Sequence, residues 1–163
     1  MDQDQQQISA YQDLVKKNPQ DQLSLQKLGD TYFDLGTQQS QSGDVNDAAW
    51  NFKKAVDEYR AYLALNPGDM EVRIDLGNTY TELSMPDVAL RELKAVTAAE
   101  PNNQRAWLNL GYTYLRMGKT DECKDPLQKA INLNPTNEYG KNAKSLLDQA
   151  NSGAGQSNLV PSP

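Results

Sequence analysis

Any chemistry done by this chain must come from few side chains. The 163 residues include no histidine and one cysteine, Cys123. Without histidine the commonest general base and metal ligand is missing, and one thiol with no imidazole excludes ordinary zinc sites. No glycine-rich phosphate loop of the nucleotide-binding kinds is present. Carboxylates remain. Asp75 and Glu82 lie seven residues apart, two turns along nearly the same helix face. Such a pair serves acid–base work inside a deep pocket and is otherwise a solvated face. Asp121, Glu122 and Asp125 suggest calcium, but they lack the spacing of a calcium loop and Lys124 interrupts them; near a helix start they favour the positive end of the dipole. The expectation is a non-enzymatic chain with no metal site and no cofactor. A lone cysteine cannot close an internal disulfide. Cys123 is expected as a buried structural thiol, the alternatives being an intermolecular disulfide or a reactive thiol in an electropositive, exposed setting.

The elements that carry these residues follow a strict period. Pro67, Pro101 and Pro135 are 34 residues apart, Leu76-Gly77 recurs as Leu110-Gly111, and Tyr80 recurs as Tyr114. A period of this length marks a repeat protein in which one helix–turn–helix unit is copied along the chain. Gly77 and Gly111 stand mid-helix, where glycine costs about 1 kcal/mol relative to alanine, which makes sense where a second helix passes close by. Ala89, Cys123 and Ala130 are small for the same reason, while Tyr80, Tyr114, Leu93 and Leu127 fill the space between helices. Each proline ends a second helix.

Composition agrees. Hydrophobic residues make up 37% and mean hydropathy is −0.78, as in a thin stack with much surface and no single central core. Net charge is −6, which argues against nucleic acid and anionic membranes, since phosphate binding needs clustered Lys and Arg. A basic or neutral partner fits better. No run approaches the roughly 18 apolar residues of a membrane span. The start MDQDQQQISAY has neither the basic nor the apolar part of an export signal. The expectation is a soluble, cytoplasmic chain unless an N-terminal signal or anchor was removed, with the compartment left open.

The segment Gln104–Asn137 carries Trp107, Leu110-Gly111, Tyr114, Cys123, Leu127, Ala130 and Pro135. It resembles the tetratricopeptide repeat, whose pattern is Trp, Leu-Gly, Tyr, Ala, Phe, Ala and Pro. The preceding copy, Met70–Asn103, has Leu76-Gly77, Tyr80, Ala89, Leu93 and Pro101, but Arg73 replaces the usual Trp and Val96 the second Ala. An earlier copy begins near Gln22 with Leu25, Leu28-Gly29 and Tyr32, and resumes after an insertion with Ala55, Tyr59 and Pro67. The resemblance spans roughly residues 20–137. It implies an all-α fold, a right-handed α-solenoid of antiparallel helix pairs.

On this reading residues 1–19 are an N-terminal helix, either a cap or a half-repeat of a longer solenoid; 20–69 are the first repeat with an extended hairpin insertion; 70–103 and 104–137 are the second and third; 138–150 are a capping helix; and 151–163 are a flexible tail. Residues 1–7 are expected to fray. The polar stretch Gln38–Gly43 reads as a loop, yet Val45, Ala48, Ala49, Phe52, Ala55, Val56, Tyr59 and Leu63 continue one helical stripe. A second helix of about six turns from near Asp44 then gives a protruding hairpin with residues 38–46 at its tip. Trp50 lies off that stripe, about 200° round from Phe52. It is either an interface residue, as tryptophans often are, or packs on the N-terminal or partner helix. Pro126 is expected inside a continuous helix bent near Glu122, or at a helix start capped by Asp125. In the last helix, capped by Asn137, the residues Tyr139, Ala143, Leu146 and Leu147 are expected to face the preceding repeat, and Gly140 to weaken the helix slightly.

In the family the first helices line a concave groove that holds an extended or helical peptide. Carrying the inward offsets onto this chain gives Gln26, Asp30 and Phe33; Ile74, Asn78, Thr81 and Glu82; and Arg105, Leu108, Asn109, Tyr112 and Arg116. Asn78 and Asn109 match asparagines that bond a ligand backbone in peptide-binding members, an amide being both donor and acceptor; the alternative is that they are ordinary solvated helix residues. The clamp for a carboxyl terminus found in chaperone-binding members is not expected, because Ile74 stands at a clamp lysine and Asp30 would repel a carboxylate. The functional expectation is a protein–protein interaction module or scaffold with an unidentified protein or peptide partner. The competing one is a structural protein that self-associates through its ends or its hairpin.

Overall fold

The structure, a computed structural model, describes residues 3–152; residues 153–163 of the expected tail lie outside the described residues. Among the described residues there are eight helices and no strand: α1 (Gln3–Lys17), α2 (Gln22–Ser42), α3 (Val45–Leu65), α4 (Met70–Glu82), α5 (Pro86–Ala99), α6 (Gln104–Arg116), α7 (Thr120–Leu133) and α8 (Glu138–Asn151). Two compact units divide after Ser84.

Four helix starts, those of α2, α4, α6 and α8, repeat a single device. Asp69, Asn103 and Asn137, each 34 residues from the next, accept hydrogen bonds from the backbone N–H of Val72, Ala106 and Gly140 at 3.1, 3.0 and 2.9 Å. Each satisfies a donor that the first turn leaves unpaired. Asp21 does the same for Ser24.

In the first unit α2 and α3 form a hairpin of two 21-residue helices. The stretch expected as a loop is helical through Ser42. Glutamine is a good helix former, and the chain turns only at Gly43, whose φ of 89° is left-handed. There the N–H groups of Gly43 and Asp44 donate to the carbonyls of Ser40 and Gln39, a Schellman closure that ends the helix cleanly. Helix α1 begins at Gln3, so residues 3–7 of the segment expected to fray are helical, while residues 1–2 lie outside the described residues. Its Ile8, Tyr11 and Val15 pack on a core of Leu28, Tyr32, Ala55, Val56, Tyr59, Leu63, Val72 and Leu76. The mid-helix Gly29 is required here: a Cβ would stand 2.5 Å from the ring of Tyr59.

In the second unit Leu115, Cys123, Leu127, Ala130, Ala143 and Ala150 form the core, with Trp107, Leu108, Tyr114, Ile131, Leu146 and Leu147 against it. Gly111 lets α7 approach α6, since its Cβ would meet Leu127 Cγ at 2.5 Å. Helix α7 runs unbroken through the buried Pro126 from Thr120, so Asp125-Pro126 does not start it. Gln104 ties three helices together: its Nε2 donates to the carbonyls of Ala130 and Asn134, and its Oε1 accepts from Asn137. In α8, Ala143, Leu146 and Leu147 join the core as expected, whereas Tyr139 is 40% exposed. Gly140 takes the buried position instead, where a Cβ would collide with the Asn134 carbonyl oxygen and stand 2.8 Å from Pro135 Cα. It permits the packing and is no mere weakening of the helix.

The copies reproduce contacts even where they differ in residue type. Trp107 Nε1 donates to the Pro101 carbonyl at 2.8 Å, and Arg73, one period earlier, donates from its guanidinium to the Pro67 carbonyl at 2.8 Å. The turn after α6 uses Gly118 at φ 71°, and one period earlier the turn after α4 uses Ser84 at φ 56°. No helix among the described residues is long and apolar enough to cross a membrane.

Candidate functional site

The inward offsets fall on three first helices. In the second unit, α6 places Arg105, Leu108, Asn109, Tyr112 and Arg116 on one stripe, at steps of three and four, while Ala106, Leu110, Gly111, Thr113 and Leu115 are buried. Arg116 is exposed, and the other four stripe residues are half-buried. Arg116 donates to the Tyr112 hydroxyl at 2.9 Å, and its guanidinium carbon lies 5.8 Å from the Tyr112 ring centroid, within reach of a cation–π attraction. Asn109 Nδ2 donates to the Arg105 carbonyl of its own helix at 2.9 Å, which leaves its oxygen to meet an incoming donor.

In the first unit the stripe is narrower than the offsets imply. Ile74 and Thr81 are buried and present no surface. Ile74 is apolar, and the Thr81 hydroxyl is satisfied by the Gly77 carbonyl at 3.2 Å, so neither resists burial. Asn78 and Glu82 remain half-buried beside them. On α2, Gln26, Asp30 and Phe33 are also half-buried. Asp30 accepts from the Tyr59 hydroxyl at 3.1 Å and pairs with Lys27 at 3.3 Å. Phe33 packs on Phe52, ring centroids 5.6 Å apart. Burial, and then the charges of Asp75 and Asp30, push the Tyr59 hydroxyl far above the usual tyrosine range, so it acts only as a donor. Burial, and then Asp30 and Asp4, raise the Asp34 carboxyl. The α2 side is therefore acidic, and the α6 stripe carries two arginines.

Elsewhere, Trp50 is 55% exposed yet meets Tyr32 of the partner helix α2 edge to face, centroids 6.0 Å apart. Cys123 is buried, with burial raising its thiol, the reverse of an activated nucleophile. Asp121 pairs with Lys124 at 2.8 Å. A cavity of about 450 Å³ bounded by α1, α2 and α3 went unnoticed in the sequence. The one hint was Trp50 off its stripe, because a void between helices depends on their spacing.

A family model described as tetratricopeptide repeat matches residues 82–147. No curated protein sequence matches the chain. Among solved structures, a crystal structure of MamA is 20% identical, covers 94% of this chain and 95% of its own, and superposes with a TM-score of 0.66. The second such domain of human RPAP3, solved in complex with an HSP70 peptide, is 15% identical, with coverage of 76% and 95% and a TM-score of 0.55. PcrH, solved with the chaperone binding region of PopD, is 18% identical, with coverage of 77% and 92% and a TM-score of 0.56. At these identities the likeness establishes the fold, an all-α solenoid of helix pairs. Residues 82–147 thus match the tetratricopeptide repeat by sequence, and the chain shares the fold of the solved structures it resembles.

Proposed function

We propose that the chain is a non-enzymatic interaction module that holds a segment of a partner protein on the faces of its first helices. The observation that carries this reading is the α6 stripe. Arg105, Leu108, Asn109, Tyr112 and Arg116 combine apolar, aromatic, amide and cationic groups on one stripe of the helix, at whose edge Leu108 also packs on the core. That mixture suits a peptide with both apolar and acidic side chains. Proteins of the same fold, RPAP3 and PcrH, were solved with bound peptide or partner segments, which supports the class of function without naming a partner. Asn78 and Glu82 on α4, and Gln26, Asp30 and Phe33 on α2, offer a second, more acidic face in the first unit.

The test is affinity capture of partners from the source cells with the intact chain, repeated with Tyr112→Ala/Arg116→Ala and with Asn78→Ala/Asn109→Ala. Loss of the same captured protein in these variants, with helicity unchanged, supports the reading. Undiminished capture by both variants contradicts the assignment of the faces.

Self-association is the second reading. It is motivated by exposed Trp50 and Val45, at 55% and 67%, near the hairpin end. Light scattering on dilution decides it: an oligomer lost in Trp50→Ala supports it, and a monomer at all concentrations removes it.

A further inference from the structure

We propose that the outer face of α3 recognises itself, pairing antiparallel with the same face of a second copy of this chain. The proposal rests on the self-association reading, which it makes specific, and not on the α6 face. Six residues form the outer face: Asn46, Trp50, Lys53, Asp57, Arg60 and Ala64. All are exposed, while the opposite side of the helix, with Phe52, Ala55 and Tyr59, is buried. At about 100° per residue the six lie within about 80° of one another, along about 27 Å of helix. Their spacing averages about 3.5 residues, that of a helix–helix seam at a small crossing angle.

The order of the residues makes the face self-complementary. The steps between them run four, three, four, three, four, the same in either direction. A second copy laid antiparallel, about a two-fold axis level with Ala55, therefore meets the face in register, and each contact occurs twice. Trp50 then falls opposite Arg60 of the second copy, Lys53 opposite Asp57, and Asn46 opposite Ala64. Charge selects this arrangement over the others. A parallel pair sets Lys53, Asp57 and Arg60 each against its own copy, like against like. An antiparallel pair slipped by one heptad keeps either an ion pair or a cation over the tryptophan, but not both.

The groups are available for this. Among the described residues the side chains of Lys53, Asp57 and Arg60 form no ion pair, although Lys53 and Asp57 are four apart on one helix. Trp50 stays 55% exposed even though Lys54 Nζ lies 5.5 Å from its ring centroid. That ring already draws a cation, and a planar guanidinium stacks on it better than an ammonium does. The seam is short and mostly polar, so the pairing is weak and sensitive to salt.

Sedimentation velocity of the intact chain over a concentration series is the test, with circular dichroism to establish unchanged helicity in each variant. The proposal expects a monomer–dimer equilibrium that weakens as salt rises. Lys53→Asp and Asp57→Lys each bring like charges together twice per dimer and should weaken dimerisation about tenfold or more. Mixing these two variants restores opposite charges at both contacts, so the mixture should recover the association that each has lost alone. Trp50→Ala should weaken it several-fold. A chain that stays monomeric at all concentrations removes the self-association reading and this proposal with it. Dimerisation that survives both charge reversals, or a mixture no more associated than its components, overturns the α3 pairing alone and leaves self-association through another surface standing.

Discussion

Gly111 offers a direct test of how the helix pairs pack. On helix propensity alone, Gly111→Ala stabilises by about 1 kcal/mol. The structure predicts the opposite sign. The added Cβ would lie 2.5 Å from Leu127 Cγ, 2.6 Å from Cδ2 and 3.3 Å from the Cys123 carbonyl. Leu127 is fully buried, so its side chain cannot swing into solvent to make room. Overpacking of this kind costs about 1–3 kcal/mol, for a net loss of up to about 2 kcal/mol. Leu127→Ala alone should cost about 2–5 kcal/mol through its cavity. The double variant removes the clash and part of the void, so it should be more stable than the two losses sum to, with a coupling of about 1–2 kcal/mol. Gly111→Leu should lose about 1–3 kcal/mol or more. Denaturant melts of the four members of the cycle measure this. Hydrogen exchange should show the loss concentrated in α6, α7 and α8, as expected where each repeat leans on its neighbours. Additivity within about 0.5 kcal/mol, or equal loss of protection over the whole chain, would refute the packing argument.

Other outcomes follow from single contacts. Gly140→Ala should be markedly destabilising in thermal melts, because its Cβ meets the backbone of Asn134 and Pro135, which cannot move aside as a side chain can. Ser84→Gly should stabilise by about 0.5–1 kcal/mol in urea titration, since Ser84 sits at φ 56°, a conformation costly for a side-chain-bearing residue. Burial, with Asp57 adding to it, raises the Glu58 carboxyl. A carboxyl raised on folding costs stability when ionised, and that cost disappears as pH falls through its folded pKa towards the unfolded one. Glu58→Gln should therefore raise the melting temperature at pH 7 and lose that advantage in acid, and equal gains at both pH values would speak against it. Cys123 should resist alkylation in the native protein and react on denaturation, as followed by mass spectrometry, because it is buried with burial raising its thiol.

The sequence shows the period but not what lies around it. Gly111 and Leu127 announce a close helix approach from type and spacing alone, because a mid-helix glycine has few other uses. The helical course of Gln38–Ser42 is hidden because nothing apolar marks it; Gly43 directly after was the available sign. Ile74 and Thr81 fall on inward offsets, yet their burial depends on how tightly neighbouring elements close over α4, which no local pattern encodes. Gly140 looks like a flaw in a helix until the Asn134 carbonyl is placed beside it. The cavity by Trp50 has the same character: its walls come from three helices, and Asn51 is unremarkable until its amide is seen held by Gln39 and the Asp47 carbonyl. The matching bonds of Arg73 and Trp107 show the converse, a contact kept while the residue type that usually signals it is lost.

Site-specific photo-crosslinking tests the functional account most directly. A benzophenone side chain placed at Asn78 or Tyr112 on the first helices is compared with one at Arg91 or Lys129 on α5 and α7, both exposed, in the presence of the source cells' proteins. The account predicts a discrete covalent adduct from the Asn78 or Tyr112 positions and none from the others. Adducts formed solely from Arg91 or Lys129 would contradict it.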